Sequence, residues 1–127
     1  MLIEFIVSNF RSINSEQRFS LAKSKFKELA ETNSFAVEAA NTFELLRSSA
    51  IYGPNASGKS NLLKAIAMMK RIVVQSDSSL QHGDAIPVVP FLLNEKSAAS
   101  PTEFEVTFLV NKVRYQYGFS ATSTQIY

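Results

Sequence analysis

Gly53-Pro54-Asn55-Ala56-Ser57-Gly58-Lys59-Ser60 sets two glycines, a lysine and a serine at the spacing G-x-x-x-x-G-K-[ST]. Each residue type has a task in holding a polyphosphate. Glycines let the main chain curl until several N–H groups converge on one anion, and a helix that starts at the end of the loop adds the positive end of its dipole. Lys59 brings a full positive charge to the β- and γ-phosphates, and the Ser60 hydroxyl can ligate the Mg²⁺ that travels with a nucleoside triphosphate. The expected chemistry is nucleotide binding; the alternative is a glycine-rich turn that holds nothing.

Such a loop needs a strand before it and a helix after it. Ser48-Ser49-Ala50-Ile51-Tyr52 is short, runs from small to apolar and ends at Gly53, as a central parallel strand would. Beyond the loop, Leu62, Ile66, Met69 and Val73 recur at helical spacing, with Leu63 and Ile72 widening the stripe. Asn61, Lys64, Met68, Arg71 and Gln75 fall on the other, mostly polar face.

The flanks of this unit read as β structure. Residues 2–8 alternate, with Ile3, Phe5 and Val7 on one side, and a second strand is expected at Gln17–Leu21 with Phe19 and Leu21 inward. Residues 22–46 fit a hairpin or a short helix equally well. Residues 76–101, with prolines at 87, 90 and 101 and the lone His82, form a long connection of the kind kept for functional or mobile segments. Near the C-terminus Phe104, Val106, Phe108 and Val110 alternate, and so do Val113, Tyr115, Tyr117 and Phe119. A two-residue turn at Asn111-Lys112 pairs 110 with 113, 108 with 115, 106 with 117 and 104 with 119, apolar against apolar throughout, so the turn and the pattern set one register.

Bulk properties narrow the class. The 127 residues suffice for one domain with a core, and 46% apolar and 11% aromatic content fit a folded protein. A formal charge of +2 is too small to argue for nucleic acid on its own, and the absence of cysteine excludes disulfides, cysteine nucleophiles and thiolate metal sites. Met1-Leu2-Ile3-Glu4-Phe5 carries an acid where a signal peptide carries base, and no apolar run reaches membrane-spanning length; a cytoplasmic protein with no membrane partner is the expectation.

Two segments together carry a family resemblance. Phe5-x-x-x-Asn9-Phe10-Arg11-Ser12 closes the first strand, and Ile51-Tyr52-Gly53-Pro54-Asn55-Ala56-Ser57-Gly58-Lys59-Ser60-Asn61-Leu62 forms the loop. With the hairpin that follows, they resemble the amino-terminal half of an ABC-type ATPase head of the SMC-like and RecF-like branch. The nearest likeness is to the AAA-type ATP-binding proteins of bacterial restriction and phage-defence loci. The resemblance implies an α/β P-loop NTPase fold, in which an antiparallel β subdomain lies beside the strand–P-loop–helix core. It implies ATP and Mg²⁺ as cofactors. It also implies roles by position: Gly53, Asn55, Ala56, Ser57 and Gly58 wrap the phosphates through the backbone, Asn55 on the γ side. Lys59 is the catalytic cation, Ser60 holds Mg²⁺, and Asn61 extends the contact toward the α-phosphate. Arg11, in a turn that sits beside the nucleotide in this branch, is either a phosphate or ribose contact or a solvated turn arginine.

The chain also departs from a complete head. A signature segment, a Walker B strand ending in Asp-Glu and a switch histidine are missing. Phe91-Leu92-Leu93-Asn94-Glu95 lacks the aspartate and follows Pro90, which suits a central strand poorly. His82 is misplaced for the switch. The Mg²⁺-reading glutamine is unassigned, since Gln116 lies inside a strand and Gln125 beyond it. The chain therefore reads as an incomplete domain. Residues 1–75 supply strands, P-loop and helix, 76–101 the connection and 102–127 the hairpin, with the C-terminal lobe absent. Full-length protein is expected to hydrolyse ATP in a dimer of heads and so to switch a nuclease, another effector or a DNA-related activity; this piece alone is expected to be inactive. A non-hydrolysing nucleotide sensor and a small P-loop kinase are the competing classes. Lys23, Lys25 and Lys27 alternate on one strand face that either touches DNA phosphates or is simply solvated.

Overall fold

The structure is a computed structural model that describes residues 1–25, 28–37, 43–75 and 85–127. Its secondary structure comprises strands β1 (Leu2–Ser8), β2 (Gln17–Ser20), β3 (Ser34–Val37), β4 (Phe43–Leu46), β5 (Thr102–Val110) and β6 (Val113–Ala121). The helices are α1 (Ala30–Asn33), α2 (Lys59–Gln75) and α3 (Glu95–Ala98).

The main sheet is antiparallel, in the order β2-β1-β5-β6. β1 alternates buried with half-buried residues, as its sequence requires. The β5–β6 hairpin has the anticipated register at Val110–Val113, Phe108–Tyr115, Val106–Tyr117 and Phe104–Phe119. Asn111 and Lys112 both take positive φ, 50° and 65°, so the turn twists with its strands. Stacking of Phe108 on Tyr115, with centroids 5.6 Å apart, reinforces the pairing.

Residues 22–46 contain both alternatives left open by the sequence: the one-turn α1 and the β3–β4 pair. This small sheet attaches to the large one through residues 21–23. The Leu21 amide donates to the Ile3 carbonyl, and the Leu46 amide donates to the Leu21 carbonyl. The β1–β5 register shifts between Leu2 and Glu4, and Ile3, at this irregularity, is buried with Val37, Leu45 and Leu109 under β3–β4.

The larger core lies between α2 and the main sheet. Ala65, Met69 and Ile72 meet Phe5, Val7 and Phe104, and Ile86 and Val88 close one side. The buried stripe of α2 is thus rotated from the one expected. Leu63 and Val73 are exposed, whereas Ala65 is buried and Met68 packs against the core. A small residue at the centre of the contact lets the helix approach the sheet, and that moves the flanking large residues outward.

The strand expected over 48–52 does not form. Among the described residues no strand pairs with it, and Ile51 and Tyr52 are 37% and 89% exposed. A central parallel strand needs a neighbour on each edge and cover on both faces. Here β1 and β5 already have both edges filled by antiparallel partners. The P-loop is therefore entered from an exposed segment without regular secondary structure, and the architecture is α/β with antiparallel sheets. Lys27, His82 and part of the 76–101 connection lie outside the described residues. Among the described residues no helix is long and apolar enough to cross a membrane.

Candidate nucleotide-binding site

Residues 53–60 form an exposed loop that runs into α2 at Lys59. Two left-handed residues make its curl, Ala56 at φ 65° and Gly58 at φ 91°. Glycine is needed at 58, because a Cβ there would be strained by the backbone and would also stand 3.2 Å from Ser12 Oγ. At Gly53 the limit is space, since a Cβ would meet Ser57 Oγ at 2.6 Å. Within the loop the Ser57 amide donates to the Pro54 carbonyl, and the amides of Asn61 and Leu62 donate to Gly58. Among the described residues the amides of Asn55, Ala56, Gly58, Lys59 and Ser60 have no partner in the chain. Such a run of free donors at the start of a long helix suits an anion.

Lys59 folds back over this ring. Its Nζ donates to the carbonyls of Gly53 and Pro54, both at 2.6 Å, and lies 3.5 Å from Ser57 Oγ. The ammonium thus ties the entrance of the loop to its exit. It reaches the concave side without leaving the loop, and carbonyl contacts of this kind exchange readily for a phosphate oxygen carrying full charge.

The Asn9-Phe10-Arg11-Ser12 turn supports the loop from beside it. Ser12 Oγ accepts a 2.7 Å bond from Asn61 Nδ2, on the first turn of α2. Asn61 is therefore engaged with the turn rather than extended toward an α-phosphate. Asn9 is 7% exposed and uses its whole carboxamide. Its Nδ2 donates to the carbonyls of Ser97 (2.7 Å), Ser100 (2.9 Å) and Pro101 (3.1 Å), while Oδ1 accepts the Phe91 amide at 2.9 Å. Its own carbonyl accepts from Thr102 Oγ1 at 2.6 Å. The Arg11 amide donates to Val89 at 2.9 Å, and its guanidinium lies over the Phe10 ring, 5.6 Å from the centroid.

A cavity of about 460 Å³ opens between loop and turn. Ser57, Gly58 and Lys59 of the loop line it together with Ser12, Ile13, Asn14 and Gln17, with Ile51 and Tyr52 before the loop, and with Leu62 and Phe91. From the turn it is Ser12, not Arg11, that faces this space. Sequence reasoning assigned Asn9 and Ser12 to a motif without a role, and it weighed Phe91 only as the start of a rejected Walker B candidate. The pairing of polar turn residues with Asn61 was the available signal for Ser12; nothing local marks Phe91.

The remaining candidates are engaged elsewhere. Gln116 Nε2 donates to Glu105 Oε1 across the hairpin at 2.8 Å, and the Gln125 amide donates to Thr122 Oγ1 in the turn after β6. Lys23 Nζ donates to Glu44 Oε2 at 2.6 Å, so this member of the lysine series is paired within the chain. That ammonium is the main reason the Glu44 carboxyl titrates below the ordinary carboxylate range, although partial desolvation opposes it.

No curated protein and no solved structure gives a match to the chain. Residues 48–127 match a family model described as "AAA domain, putative AbiEii toxin, Type IV TA system". That match runs from the entry of the P-loop through α2 and the whole β5–β6 hairpin, well over half of the chain. The chain belongs to this AAA-domain family.

Proposed function

We propose that residues 53–60 bind the triphosphate of ATP with its Mg²⁺, as the P-loop half of an ABC- or SMC-like ATPase head. The observation that carries this is a loop with five amides unpartnered in the chain, running into α2 with the Lys59 ammonium folded onto it, beside a cavity of about 460 Å³ that Ser57, Gly58 and Lys59 help to line. Bound Mg²⁺ neutralises phosphate charge and orients the γ-phosphoryl group. Ser60, the serine that follows the loop lysine, would hold Mg²⁺ through its hydroxyl beside the phosphate oxygens themselves.

Lys59 exchanges two neutral carbonyls for phosphate oxygens, a gain confined to an occupied loop. The loop amides have no bond within the chain to give up before they meet a phosphate. Water activation needs a glutamate that this reading places in the other lobe of the head, with a second head closing the site. The switched activity is that of a nuclease, another effector protein or DNA, in the cytoplasm.

Phosphate release from MgATP by full-length protein, with and without Lys59→Ala, tests the reading. Turnover that vanishes with the lysine supports it. Tight ATP binding without turnover would assign the chain instead to nucleotide sensing, and phosphate transfer to a small acceptor would assign it to the kinases.

A further inference from the structure

We infer that Phe91 forms the nucleobase wall of the site, so that the cavity selects a nucleotide by its ring as well as by its phosphates. The inference rests on the phosphate-binding role of residues 53–60.

Beside Ser57, Gly58 and Lys59, the cavity is lined by Ile13, Leu62, Tyr52 and Phe91 and by the neutral amides of Asn14 and Gln17. Lys59 is the one charged side chain on its lining. An occupant whose anionic tail rests on the loop must therefore set something neutral, with apolar faces and polar edges, against the rest of the lining. A purine or pyrimidine ring has that composition; a sugar phosphate or an acidic peptide does not. Every nucleobase has a π-face that an aromatic side chain can cover, and amide side chains can meet its edges. Of the two aromatic side chains on the lining, Tyr52 is 89% exposed, whereas Phe91 is half-buried.

Phe91 is also held in place for the task. Among three consecutive large apolar residues, Phe91 is half-buried and lines the cavity, whereas Leu92 and Leu93 are 66% and 89% exposed. Its backbone is fixed on both sides of Pro90. The Phe91 amide donates to Asn9 Oδ1 at 2.9 Å, and the Val89 carbonyl accepts from the Arg11 amide at 2.9 Å. Pro90 itself restricts φ between these two anchors. A wall anchored in this way costs little ordering entropy when a ring settles against it. Asn9 is then a positioning residue, acting through Phe91, and the same turn holds the phosphate loop through Ser12 and Asn61.

The test is calorimetric titration of full-length protein with MgATP and, separately, with magnesium tripolyphosphate, for the wild type, Phe91→Ala and Phe91→Tyr. Phe91→Ala is expected to weaken ATP by roughly 10- to 100-fold while tripolyphosphate affinity stays within about twofold, and Phe91→Tyr is expected to keep most of the ATP affinity. Equal losses for both ligands, or an unchanged ATP affinity, would overturn the inference. So would wild-type protein that binds tripolyphosphate as tightly as ATP, although the phosphate role would then stand. Wild-type protein that binds neither ligand would remove the phosphate role itself. If Phe91→Ala does not fold, Phe91→Leu is read by the same ATP-to-tripolyphosphate ratio.

Discussion

The 9–12 turn and the 53–60 loop both place non-glycine residues in the left-handed region, and they are built on opposite plans. The 9–12 turn, with Asn9 at φ 51° and Arg11 at φ 52°, is anchored by a buried side chain whose polar atoms are all bonded to the 91–101 segment. The 53–60 loop, with Ala56 at φ 65° and Gly58 at φ 91°, is exposed and keeps five amides free; its main tie is a lysine folded onto its own carbonyls. In the turn, strain is offset by satisfied internal bonds, which is how a fixed support is made. In the loop, curvature is kept while the donors stay open, which is how a receptor for an external acceptor is made. Ser12 and Asn61 join the two, so the receptor is held by the support.

Substitutions in the two loops should therefore separate activity from stability. Lys59→Ala is the largest expected effect on activity. Hydrolysis by full-length protein should fall by about 100-fold or more, while equilibrium denaturation moves by less than about 1 kcal/mol, because the lost bonds are exposed. Asn9→Ala should do the reverse. Removing its carboxamide orphans the buried groups it satisfies, at a cost of about 2–4 kcal/mol read as a lower urea midpoint. If Asn9→Ala left stability unchanged and abolished nucleotide binding, the division of roles would be inverted. Gly58→Ala should sit between them: strain at φ 91° and crowding against Ser12 Oγ should cost about 1–2 kcal/mol and weaken ATP binding together. The smallest effect lies away from both loops. Glu44 titrates below its unfolded value, so its contribution is present at neutral pH and is lost as pH falls through the lowered value. Glu44→Gln should flatten that acid limb of the stability profile and leave nucleotide binding untouched.

The parts legible in the sequence are those set by local pattern. Strict alternation around a two-residue turn gave the β5–β6 register, and the spacing of two glycines, a lysine and a serine located the loop and the start of α2. Contacts between distant segments were not legible. Asn9 reaches carbonyls 88 to 92 positions away, and no local feature of Phe91 announces the cavity. The 48–52 segment carries the composition of a buried strand, yet strand formation depends on a neighbour, and none of the described strands offers a free central edge. The rotation of α2 follows from Ala65, whose small side chain carries little weight in a hydrophobic pattern but governs how closely helix and sheet approach.

Hydrogen exchange of full-length protein, followed by mass spectrometry with and without MgATP, tests the central claim most directly. The five open amides of the loop should exchange quickly in free protein and become protected when ATP is added, with no comparable change in the already bonded 9–12 turn. Protection elsewhere with none across residues 53–60 would contradict the account.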